Sequence, residues 1–148
     1  MQPLVIAQIS VEPFKCYLQQ PFMLAGEKLS FRAGFYVTLT SITGLTAKGE
    51  ASPLPHFSTE TLKRTQHDLH EIISFLTRKE VPLAFEEAID FMRKEPHFFN
   101  LCPSARFAVE SAMLELCALH QQKTLADFIG AINPKPLSAG LLQGPREQ

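Results

Sequence analysis

Apolar and polar positions alternate along the first third of the chain and then change period. Residues 4–14 carry Val5, Ile6, Ile9 and Val11 and predict a strand that ends near Pro13. Residues 29–31 lead through Arg32-Ala33-Gly34 into a second apolar segment, 35–42, whose alternation is strict. Phe35, Val37 and Leu39 take one face, and Tyr36, Thr38 and Thr40 the other. That period of two, in β-branched and aromatic residues, predicts a half-buried strand. Thr43-Gly44 supplies a turn, and residues 45–51 predict the returning partner. The three strands form an antiparallel meander. Residues 15–27 combine Gln19-Gln20-Pro21 with an apolar middle, Phe22, Met23 and Leu24, and then Gly26. Two readings stay open for them: a long functional or mobile connection, or a strand extension or loop tucked against the core.

Beyond residue 57 the period becomes helical. In residues 58–79 the side chains of Leu62, Leu69, Ile72, Ile73 and Leu76 recur on one face, with Ser58 at the N-cap position and Glu60 in the first turn. Pro82 breaks this helix. Phe85–Lys94 predicts a second one, with Phe85, Ala88, Ile89 and Met92 apolar, stopped before Pro96. The connector HFFNLCPS holds two phenylalanines that are either exposed or anchors. A third helix opens at Pro103 or Ser104 and runs to about His120. It is apolar nearly all round, with a narrow polar strip of Arg106, Glu110, Ser111 and Glu115, so burial on several sides and a further partner are expected. Thr124 caps a last short helix, LADFIGAI. The fold class is α+β: a three-stranded antiparallel meander followed by a bundle of three to four helices. Pro134 and Pro136 mark a linker, and residues 137–142 open a new apolar segment that stops at Gly144. The expected division is a domain over 1–133 and a linker with the start of something further over 134–148.

Composition narrows the function classes. With 148 residues, 45% of them hydrophobic and 20% charged, the chain suits one ordinary soluble domain. A net charge of −1 without a basic run gives nucleic acid or an anionic membrane no electrostatic footprint. There is no secretory leader pattern and no apolar run of membrane-spanning length. Cys16, Cys102 and Cys117 are odd in number and none lies in a CxxC pair, which points to reduced thiols and a cytoplasmic protein.

Candidate chemistry concentrates in GEASPLPHFSTETL, residues 49–62. Pro53 and Pro55 fix φ on alternate residues and remove two backbone donors, so neither a helix nor a ladder runs through them. A short stiff loop, Ser52, Pro53, Leu54, Pro55, His56, Phe57 and Ser58, is thereby held between a strand and a long helix. Apolar side chains displayed on a rigid loop need a groove to plug or a ligand to cover.

The stretch resembles the GE-[IA]-SPLPGFS-x-ET segment of o-succinylbenzoate synthases, members of the enolase superfamily. Three further pieces agree in order: LVIAQISVEPF, the hairpin KLSFRAGFYVTLTSITGLTAKGEASP and the helix PSARFAVESAMLELCAL. Together they cover most of residues 4–142 and correspond to the small N-terminal capping domain of that family. His56 stands where the family usually has glycine. The resemblance implies that residues 15–27 are a flap at an active-site mouth, and that Phe22, Met23 and Leu24 close over a small carboxylate substrate together with residues 52–58. Leu54 and Phe57 are the principal contacts, held stiff by Pro53 and Pro55. It also implies that residues 137–142 begin a (β/α)8 barrel, which needs roughly 200 residues or more. The chain is therefore read as a truncated one, a cap whose partner is its own C-terminal barrel. In the family, a lysine on the barrel abstracts the proton α to a carboxylate and Mg²⁺ holds the resulting enediolate, and a dehydration on the menaquinone pathway follows. No catalytic or metal residue transfers onto positions 1–148, so no cofactor is expected in this chain, Mg²⁺ is expected in the full-length parent, and this chain alone is expected to be inactive.

Competing sites are weaker. His67 and His70 beside Asp68 and Glu71 have the spacing of a metal clip but read better as a solvated face. Glu86, Glu87 and Asp90 form an acidic helix face. Cys102 with His97 lacks the third group that would orient a base. No P-loop, GxGxxG or GxSxG is present. Two classes remain: the cap of a lyase, or of a related racemase or epimerase, and a stand-alone α+β interaction module. Self-association through the uncovered apolar surfaces is expected.

Overall fold

The computed structural model describes residues 3–131. Alternation in the N-terminal third builds two long strands, β1 (Leu4–Leu24) and β2 (Glu27–Ser41), and a shorter third, β3 (Thr46–Ala51). All pair antiparallel, as the meander requires. A two-residue strand, β4 (Glu80–Val81), adds itself to the free side of β1 and completes a four-stranded sheet in the order β3-β2-β1-β4. Nothing in the sequence marks β4. It is a product of chain return, with Leu4 opposite Val81 and Arg78 N–H donating to the Ile6 carbonyl at 2.7 Å.

Residues 15–27 are not a loop. They continue β1 through Leu24 and turn at Ala25-Gly26, both at positive φ (49° and 84°), into β2. The strand-extension reading is the one that holds. Gln19-Gln20-Pro21 shifts the register between Tyr17 and Phe22 without ending the hairpin.

Five helices follow: α1 (Leu62–Leu76), α2 (Phe85–Lys94), α3 (Pro96–Phe99), α4 (Pro103–His120) and α5 (Leu125–Phe128). Helix α1 starts later than its sequence suggests. Its N-cap is Thr61, whose Oγ1 accepts from Arg64 N–H at 3.2 Å, and neither Ser58 nor Glu60 is helical. At its other end the helix closes at Leu76, short of Lys79. Helix α5 covers only the first turn of LADFIGAI, capped by Thr124 as expected. Of the connector phenylalanines, Phe98 is buried and Phe99 exposed.

Helix α4 is the centre of the core. Ala105, Ala108, Val109, Ala112, Met113, Leu116, Cys117 and Ala118 are all buried. The sheet covers one side, and α1, α2 and α5 lie against others. Much of its nearly all-round apolar surface is thus satisfied inside the domain, with Phe107 and Leu119 left exposed. The helix lies so close to β3 that a Cβ at Gly49 would overlap the Ala108 carbonyl. Residues 134–148, including the expected linker, the domain boundary and the apolar segment 137–142, lie outside the described residues.

Candidate functional site

The sheet's core face is longer than the helical layer that covers it. Along β2 that face reads Leu39, Val37, Phe35 and, further on, Phe31, with relative exposures of 0%, 1%, 6% and 38%. Across the ladder, Tyr17 opposes Phe31 and is 73% exposed. Directly opposed residues share a face, so the apolar face of the hairpin runs past the core into solvent. Tyr17 and Phe31 meet edge to face at 6.0 Å, and Lys15 Nζ lies 4.0 Å from the Phe31 ring centroid. Beyond them, Phe22 and Met23 are exposed and Leu24 is half-buried. The flap residues predicted from sequence therefore stand at the tip of an overhanging hairpin.

Residues 52–58 leave the end of β3 and form the second part of the rim. Ser52 is fixed at the base: Arg32 Nη2 donates to its carbonyl at 2.8 Å and to its Oγ at 2.9 Å. Arg32 Nη1 is buried and has no partner among the described residues. Pro53 is buried, whereas Pro55 is exposed. A tight turn then closes on Leu54, whose carbonyl accepts from Phe57 N–H at 3.1 Å and Ser58 N–H at 2.8 Å. Ser58 Oγ accepts from Leu54 N–H at 2.9 Å, which is why it is unavailable to cap α1. Leu54 is half-buried, and Phe57, at 78%, is the most exposed large apolar side chain among those described. Neither is sealed inside the domain.

His56 has φ of 61°, a left-handed conformation that glycine adopts without penalty. This accounts for the glycine in the segment that the loop resembles. Here the imidazole adds a contact: His56 Nε2 lies 2.6 Å from Glu27 Oε2, at the start of β2. The two segments singled out from sequence are thereby brought together, through a pair that sequence reasoning did not foresee. Arg32 was also missed, because a single arginine between strand residues carries no signal of the backbone it will reach.

Behind the loop a groove of about 540 Å³ runs between Ser52, Ser58, Glu60 and the start of α4, with exposed Phe107 at its margin. Of its two acids, Glu50 on β3 is exposed, whereas Glu60 Oε1 accepts from Ser104 N–H at 3.0 Å and serves the first turn of α4. Among the competing candidates, His67, His70 and Glu71 are exposed on α1, and Asp90 pairs with Lys94. Asp68 is buried, accepting from Arg64 Nε and from Cys102 N–H, each at 2.7 Å. His97 stacks on Phe75 and pairs with Glu95, while Cys102 Sγ sits near Thr65 and Ser104. No group of three or more His, Cys, Asp or Glu among the described residues could hold a metal ion. No described helix is long and apolar enough to cross a membrane.

This geometry has known counterparts. An o-succinylbenzoate synthase from Aliivibrio fischeri (strain MJ11) is 33% identical over 96 residues, 64% of this chain and 24% of that protein. The chain thus spans about a quarter of the length of the curated relatives it matches. Among solved structures, a mandelate racemase/muconate lactonizing protein from Herpetosiphon aurantiacus is similar at 26% identity and a TM-score of 0.62, over 82% of this chain and 33% of that one. A dipeptide epimerase from Methylococcus capsulatus, solved with Mg and the dipeptide L-Arg-D-Lys, shares the fold with a TM-score of 0.73 at 24% identity, over 85% and 35% of the two chains. The family model described as the MenC N-terminal domain matches residues 7–116, well over half of the chain. With the meander, the overhanging hairpin and the SPLPHFS turn all inside or directly bordering one rim, this chain belongs to the MenC N-terminal domain family of enolase-superfamily proteins.

Proposed function

We propose that this chain is the substrate-capping and specificity domain of an o-succinylbenzoate synthase-like dehydratase in menaquinone biosynthesis. Its partner is a C-terminal (β/α)8 barrel, which holds the Mg²⁺ and the proton-abstracting base. The observation that carries the reading is the rim. Phe57 on a turn stiffened by Pro53 and Pro55, and Phe22 and Met23 on a hairpin tip, are exposed, and Leu54 beside them is half-buried. Of the carboxylates at the rim and behind it, Glu27 pairs with His56 and Glu60 accepts from Ser104. The cap's share is to exclude water and shape the space above a carboxylate substrate, which strengthens the electrostatics acting on it. Three unpaired thiols, Cys16, Cys102 and Cys117, suit a reducing cytoplasm.

Two assays test this. The purified chain with Mg²⁺ should show no dehydration, and measurable turnover would refute a cap-only role. In the barrel-bearing protein, Phe57→Ala and Leu54→Ala should raise KM more than they lower kcat, as expected for side chains that touch substrate throughout. The likeness to the mandelate racemase/muconate lactonizing protein, at 26% identity, supports a second reading, the cap of a racemase or epimerase. Exchange of the substrate's α-proton with solvent deuterium, without loss of water from the substrate, would select it.

A further inference from the structure

We infer that His56 is a positioning residue that ties the hairpin tip to the 52–58 turn, so that both parts of the rim open and close as one body. Its sense in catalysis rests on the capping role proposed above; the tie itself does not.

The hairpin tip has little of its own to hold it. Past the register shift between Tyr17 and Phe22, the ladder continues through only Phe22–Leu29, Met23–Lys28 and Leu24–Glu27 before the Ala25-Gly26 turn. A short two-stranded ribbon is marginally stable in water, so this segment can pivot at the irregularity unless something outside it takes hold. The 52–58 turn is the opposite case. Two prolines, two bonds to the Leu54 carbonyl, the Ser58 hydroxyl and the Arg32 clamp on Ser52 leave it little freedom. Among the described residues, the side-chain contact that bridges the two segments is His56 Nε2 to Glu27 Oε2, at 2.6 Å. Residues 54–58 close their turn with His56 at φ of 61°, where a side chain is a liability to the turn itself. A liability retained at a stiff turn and spent on the loose tip is what a tie requires.

Amide hydrogen exchange over residues 22–28 of this chain tests the idea in wild type, His56→Gly, Glu27→Ala and the double variant. Each single change should raise exchange at the tip roughly two- to fivefold, the range expected for one largely exposed ion pair. The double should be no faster than either single, and Glu27→Gln, which keeps an acceptor, should recover part of the protection. His56→Gly should leave the global unfolding midpoint unchanged or higher, because the left-handed residue is relieved. Tip exchange that does not change, single effects that multiply, or tip exchange that rises only in step with a fall in global stability would each overturn the tie. In the barrel-bearing protein, His56→Gly should raise KM with kcat held. Exchange that behaves as expected beside an unmoved KM would leave the tie standing and count against the capping role.

Discussion

Glu60 is ionised against a cost. Partial withdrawal from water raises its pKa, yet hydrogen bonds from Ser104, through side chain and backbone, from its own backbone N–H and from Thr59 together outweigh that and hold the carboxyl below its ordinary value of 4.5. A folded-state pKa below the unfolded one means that its stabilisation is fully present above the unfolded value and is lost as pH falls through the folded one. Urea midpoints measured from neutral pH down past 4 should therefore fall in wild type. Glu60→Gln should start slightly lower and lose part of that slope, the effect staying small because the group is largely solvated. Placement of Glu60 was legible only as an acid near a helix start. The helix served is α4, more than forty residues away, and local spacing holds no information about that. Ser58 and Thr61 show the same limit: both are good caps, and the turn around Leu54 engages the first and leaves the second for α1. Thiol chemistry follows burial more simply. Desolvation pushes the Cys117 thiol up to about 12, and Cys102 is also buried, while Cys16 is exposed. A thiol reagent should modify Cys16 alone in native protein and all three cysteines in denaturant.

At the level of elements, the contact of α4 with β3 fixes the position of the 52–58 turn. Residues 52–58 issue directly from β3, so a shift of that strand would move Ser52 off Arg32. The approach depends on the missing side chain at Gly49, and Gly49→Ala forces strand and helix apart. Overpacking of this kind costs about 1–3 kcal/mol, and here backbone must give way instead of a side chain, so the upper part of the range is expected. Chemical denaturation should show the loss in the midpoint with little change in slope. The meander and the three long helices were legible because period and length agree in each, and α2 and α4 fall on their expected bounds or within a residue of them. The hairpin extension was ambiguous because Gln19-Gln20-Pro21 reads as a loop one strand at a time. Pairing with β2, beyond the reach of any local window, keeps it extended. The strand β4 has two residues and no pattern to detect.

For the whole molecule, what matters is which apolar surface the fold leaves in water. Helix α4 was expected to need an outside partner, and the domain itself meets most of that need. What remains in water is Phe107 on α4 itself, Phe57 and Met23 at the rim and Tyr17 on the overhanging hairpin, with Ile42 and Phe99 elsewhere on the surface, all strongly exposed. Surface apolar residues scattered singly are ordinary, but several on neighbouring elements favour association. Burying a side chain of this size is worth roughly 1.5–3 kcal/mol. A contact using two or three of them on each copy competes with the cost of association only at high protein concentration. The chain on its own should therefore be monomeric when dilute and form weak, rapidly exchanging dimers at high micromolar concentration. Sedimentation velocity should show the average coefficient rising with concentration, and Phe57→Ser should flatten that rise more than Phe107→Ser if the rim is the sticky surface. A profile that stays monomeric throughout would count against association through these surfaces.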